Sequence, residues 1–209
     1  MRRWTIGSAL VVGWLVSVVG VAAAEWKPEV MDREIEIEEA LAAGPEIIRQ
    51  EAGVYVLTSS GYKRARESSN GFNCIIGRSQ EGAYEPQCFD AAGSTSLLEQ
   101  VLMRGQMQMR GDGPDEIQNA LNAAWKSGEL VPPRRPGINY MLSERNRVPV
   151  GPDTVIPYGP HLMFYAPDLT DADIGGDLTG EGSPVFMINA GQPSGYVIVP
   201  VAGHAEHGG

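Results

Sequence analysis

The order of apolar and polar positions changes period twice along the chain. A short helix is expected over Glu34 to Ala43, stopped by Gly44 at its C-terminal cap and by Pro45. Gly53 to Thr58, with Val54, Tyr55, Val56 and Leu57 in succession, is apolar on both faces and rich in β-formers, which predicts a buried strand. Ser59, Ser60 and Gly61 turn it into a second strand, Tyr62 to Glu67. Phe72 to Arg78 and Tyr84 to Asp90 read as two more, with Gln80, Glu81 and Gly82 as the turn between them. Four strands in succession imply antiparallel pairing.

At Ser96 the period becomes helical. Ser96 and Glu99 match a capping box, and Leu97, Leu98, Val101 and Leu102 supply the apolar stripe of a helix that Gly111 ends. Asp112, Gly113 and Pro114 start another, in which Ile117, Leu121, Ala124 and Trp125 share a face and Gly128 closes the last turn. So short a link predicts a helical hairpin. From Pro132 onward the chain holds 11 of its 15 prolines, which excludes long helices and favours short strands. Ile138 to Ser143, His161 to Ala166, Pro184 to Asn189 and Tyr196 to Val201 are the candidates. The fold class expected is therefore α+β: a largely antiparallel sheet with a central helical hairpin packed on one face.

The two ends read differently from the body. Arg2 and Arg3, the apolar run Ile6 to Val21 and the triplet Ala22, Ala23, Ala24 have the three parts of a secretory signal peptide, expected over residues 1–24. Its removal leaves no stable membrane anchor and predicts export by the general secretory route, to the periplasm or the medium. Residues 25–33 are expected as a flexible lead-in, 34–201 as one α+β domain and 202–209 as a disordered tail. Without Arg2 and Arg3 the chain carries 14 bases against 26 acids, a formal charge of −12. Phosphate backbones and anionic headgroups repel such a surface, so nucleic acid is excluded as a partner.

Cys74 and Cys88 are the only thiols, and in an exported chain an even count predicts a disulfide. Pairing the two flanking strands about Glu81 sets Cys74 opposite Cys88, Ile76 opposite Pro86 and Arg78 opposite Tyr84, within bridging distance across an antiparallel pair. A loop of this size is worth about 3 kcal/mol in the chain-entropy model.

Candidate chemistry is sparse. Strand parity puts His161, Met163 and Tyr165 on one face of their segment, and the run Asn139 to Ser143 is a natural antiparallel partner that would bring Tyr140 or Ser143 near His161. His161, Tyr140 and Tyr165 are therefore candidate binding residues. A hydrolase would use Ser143 with His161 and Asp168, although no nucleophile elbow is present. Asp171, Asp173 and Asp177, in the loop 171–181, partly match a calcium loop, but Gly182 stands where a bidentate glutamate belongs. Thr170 and Asp173 equally read as a capping box for one turn of helix. Met103 and Met107 share a helical face and could offer thioethers to Cu(I), or fill core gaps. No zinc motif or phosphate-binding glycine loop occurs, and no cofactor is expected. The pattern favours an exported, non-enzymatic domain that binds a small ligand or an envelope protein. The alternatives are an extracytoplasmic hydrolase through Ser143 and His161, or a weak structural calcium-binding protein.

Overall fold

Several helices begin or end where the sequence supplies the missing backbone partners. Asp32 caps α1 (Arg33–Leu41), its carboxylate accepting from the amides of Glu34 and Ile35 at 3.0 and 3.3 Å. A short α2 (Glu46–Arg49) follows Pro45. Pro114 occupies the first turn of α5 (Pro114–Ser127), and Gly111 and Gly128, at φ 97° and 81°, close α4 (Leu97–Arg110) and α5 in the left-handed region that a β-carbon disfavours. The computed structural model describes residues 26–150, 154–175 and 185–201. Residues 1–24, expected as a signal peptide, the tail from Ala202 and Asp177 lie outside the described residues.

The described residues form an α+β structure with six helices and one mostly antiparallel sheet of eight strands. The strands are β1 (Gly53–Thr58), β2 (Gly61–Arg66), β3 (Asn73–Gly77), β4 (Glu85–Phe89), β5 (Ile138–Met141), β8 (His161–Tyr165), β9 (Phe186–Ile188) and β10 (Tyr196–Pro200), in the order β2-β1-β3-β4-β5-β8-β10-β9. Between β5 and β8 the chain makes a separate ribbon of β6 (Arg147–Pro149) and β7 (Val155–Pro157). The sequence pattern did not foreshadow this ribbon, whose strands have only three residues each.

The first four strands are not wholly antiparallel. The hairpin carries β2 to the outside, and β1, buried along most of its length, needs a neighbour on its other edge. β3 supplies it in the parallel sense, pairing Gly53 with Asn73 and Val54 with Cys74. The β3–β4 register is the one expected from the cysteines: Cys74 faces Cys88 and Ile76 faces Pro86, and the two sulfurs are bonded. The capping box expected at Ser96 is not formed. A four-residue helix, α3 (Ala91–Ser94), precedes it, and the Ser96 hydroxyl donates to the Ala92 carbonyl at 2.7 Å.

Parity splits the sheet into two differently covered faces. On one, Cys74, Ile76 and Cys88 pack with Val54, Val56 and Ala40 of α1. On the other, Ile75, Phe89, Met141, Met163, Tyr165 and Ile198 cluster with Leu97 and Leu98 of α4. The pairing of β1 with β3 stops at Val54, so the amide of Leu57 has no strand on that side. Glu36 fills the gap from α1, accepting from Leu57 at 3.1 Å and from Arg78 at 2.9 Å, both charged side chains being at most 5 % exposed. The Tyr62 hydroxyl closes the same gap by donating to the Ile76 carbonyl at 2.6 Å.

Candidate functional site

The second face is only partly covered. Two neighbouring cavities, of about 490 and 340 Å³, lie over it and share Glu85, Gln87, Val148, Met163 and Ile188 as walls. Together they make one cleft between the sheet, α4 and α5, and the β6–β7 ribbon, of a size suited to a small molecule. The register dictates its floor. Gly77 pairs with Glu85, Asn139 with Phe89 and Met163, Met141 with His161, and Ile198 with Met163 and Phe186. Side chains directly opposite each other point to the same face, so these positions form a single patch.

The larger cavity is the more polar of the two. Ser79 holds both carboxylate oxygens of Glu85, through its hydroxyl at 2.8 Å and its amide at 3.1 Å. Burial nevertheless pushes the Glu85 carboxyl above its usual range, against those hydrogen bonds and the field of Arg104. Gln87 accepts from Asn139 at 2.9 Å, Gln100 accepts from the Trp125 indole at 3.0 Å, and neither NH₂ group has a partner among the described residues. Gly77 leaves room for this amide, since a β-carbon there would lie 2.4 Å from Gln87 Nε2 and displace it. Arg104 projects from α4 into this wall. Its guanidinium makes one long hydrogen bond, 3.4 Å to the Ser79 carbonyl, and no carboxylate among the described residues lies within ion-pair distance. Burial lowers its pKa, and Glu85 is the charge that opposes this.

The smaller cavity is apolar, with Met141, Ile156, Tyr158, His161, Phe186 and Ile198 on its walls. Val150, Ile156 and Ile188 leave an exposed apolar rim at its mouth. His161 is 4 % exposed, donates through Nδ1 to the Gly159 carbonyl at 2.9 Å and meets the Tyr158 ring edge-on at 4.7 Å. Burial holds the imidazole below its ordinary pKa of 6.5, so it is neutral at neutral pH, and its Nε2 has no partner among the described residues.

The other residues singled out from the sequence are dispersed. Tyr140 sits opposite Leu162 on the α1 face, packed on Phe72 with ring centroids 6.1 Å apart. Met141, not Tyr140, is the β5 residue facing His161. Tyr165 shares the face of His161, but the one proton of its hydroxyl is shared between the Ile138 carbonyl at 2.7 Å and Asp90 at 3.1 Å, a buried clasp between β8 and β5. The hydroxyl of Ser143 accepts from the amide of Arg145 at 3.1 Å, and Asp168 lies beyond the end of β8 opposite His161. Asp171 accepts from the amide of Met187, while Asp173 accepts from the amide and hydroxyl of Thr170, as the capping reading anticipates, at the start of α6 (Asp171–Ile174). Among the described residues no three acidic, histidine or cysteine side chains are grouped to hold a metal ion. Met107 packs with Ile117, Leu121 and Ala124 of α5.

The residues of the polar wall carried a sequence signal that composition hides. Gln100, Arg104 and Gln108 fall on the same helical stripe as Leu97 and Val101, polar groups where a purely structural stripe would be apolar. Glu85 and Gln87 do the same on β4, alternating with Pro86 and Cys88. Comparison of the chain with protein-family models, curated proteins and solved structures gave no match.

Proposed function

We propose that the protein is an exported, non-enzymatic domain that binds a small ligand in the cleft over the second sheet face, with the α4–α5 hairpin packed on that face as the polar wall. The observation that carries this reading is the joining of a mixed, partly polar cavity to an apolar one across shared walls. Apolar lining with a few convergent polar groups is the usual make-up of a ligand site. The disulfide supports the oxidising compartment that the N-terminal segment implies.

Native mass spectrometry tests the reading. The purified protein is incubated with a small-molecule extract of an exporting bacterial host and compared with Ile188→Trp. Ile188 is 36 % exposed and borders both cavities, so tryptophan there narrows the mouth at little risk to the core. The expected result is a discrete 1:1 mass increment on the wild type that is absent from I188W. A bare wild-type mass, or the same increment on both proteins, would move the function away from this cleft.

A further inference from the structure

Resting on that reading, we infer that the ligand is an amphipathic carboxylic acid, its carboxylate on Arg104 beside the amides of Gln87 and Gln100, and its apolar tail in the cavity walled by Met141, Ile156, Tyr158 and Phe186. Three observations meet here. The first is an unfilled demand for negative charge. Arg104 is half-buried in the cavity wall, and among the described residues its guanidinium makes one 3.4 Å hydrogen bond and no ion pair, so an anion in the cavity would find a free fork of donors. The neighbouring carboxyl meets the demand only at a distance: both oxygens of Glu85 are held by Ser79, and neither lies within ion-pair range of Arg104.

The second observation is donor geometry. The Oε1 atoms of Gln87 and Gln100 are committed to Asn139 and Trp125, which leaves their NH₂ groups to donate. A planar fork from Arg104 matches a carboxylate, and added amide donors suit its remaining lone pairs. The third is the character of the adjoining space. From β4, which carries Glu85, to β10, which carries Ile198, is three strand spacings, about 14 Å, along a floor that turns from polar to apolar. A ligand charged at both ends would leave one end unsolvated among apolar side chains, and a wholly apolar one would leave Arg104 unpaired. One charged head with one apolar tail satisfies both ends.

The test is titration calorimetry of the disulfide-bonded protein with decanoate, decan-1-ol and decyltrimethylammonium, each below its micelle concentration. Decanoate is expected to bind one per chain and at least tenfold more tightly than the alcohol, since a hydrogen bond to a charged group is worth about that factor. Arg104→Met keeps the apolar stem of the side chain and is expected to erase the preference, with decanoate losing more affinity than the alcohol. Comparing acid with alcohol on the wild type needs no variant, so the inference stays testable if R104M fails to fold. Equal binding of acid and alcohol, preference for the ammonium compound, or an acid preference that survives R104M overturns the ligand class and leaves the cleft standing. No binding of any probe also overturns the class. The extract experiment then separates the cases: a mass increment blocked by I188W keeps the cleft, and a bare mass removes both readings.

Discussion

At the scale of single residues, His161 shows how a buried titratable group ties the cleft to pH. In the folded chain it is neutral, since burial penalises the imidazolium more than the Gly159 carbonyl favours it. In the unfolded chain it takes up a proton near its ordinary pKa of 6.5. The unfolded state therefore binds more protons below that pH, and the contribution of His161 to stability, present above it, is lost as pH falls. His161→Asn keeps a donor for the Gly159 carbonyl and removes the titration. Urea unfolding of the two proteins between pH 5 and 8 should give a difference that is flat above about pH 7.5 and shifts in favour of H161N on the acid side. Parallel curves would show that the imidazole is charged in the fold or solvated there. His161 is one wall of the apolar cavity, so H161N is expected to weaken acid and alcohol alike while keeping the preference set by Arg104, whereas a hydrolase built on His161 would lose its activity.

At the scale of elements, the cleft depends on how closely α4 lies on β2. At Gly105 a β-carbon would fall 2.3 Å from the Tyr62 ring, and that ring is held by the hydroxyl's bond to Ile76. Alanine in place of glycine in a helix interior ordinarily stabilises by about 1 kcal/mol. Here the clash decides the sign: Gly105→Ala is expected to lower stability by roughly 1–3 kcal/mol, the usual range for overpacking, and to weaken decanoate binding because Arg104 is its neighbour on the helix. A higher urea midpoint for G105A would place α4 further from the sheet. Regular elements of this kind were legible in the sequence, since β1, the β3–β4 register and the limits of α4 and α5 follow from period, glycine caps and the cysteine pair. The parallel β1–β3 pair was not, because local pattern carries no information on which edge a later strand takes. The same limit hid the site. Parity set His161 and Met163 on one face and identified Asn139 to Ser143 as a partner run, but only the register shows that Met141 and not Tyr140 completes that face, and only tertiary packing brings Arg104 over Glu85 and Gln87.

At the scale of the whole molecule, the two faces of the sheet divide the labour. The α1 face carries the disulfide and the Glu36–Arg78 pair, while the other face gives up part of its cover to a cleft. Such a division makes stability depend on the compartment. A bridge closing a loop of 14 residues is worth about 3 kcal/mol by chain entropy, against a total of roughly 5–15 kcal/mol for a domain. A cleft-bearing domain with that margin has reason to fold where thiols oxidise. Full-length protein recovered from the periplasm of an exporting host should therefore have a denatured mass that lacks residues 1–24 and is two hydrogens lighter than the dithiol. Residues 25–209 produced in a reducing cytosol should carry two free thiols and unfold with a stability lower by about 3 kcal/mol, recovered on oxidation. A product that keeps its first 24 residues would count against export with cleavage. Equal stability of the oxidised and reduced forms would mean that the α1 face holds together by packing and the buried ion pair alone, and the compartment would then lose its physical connection to the fold.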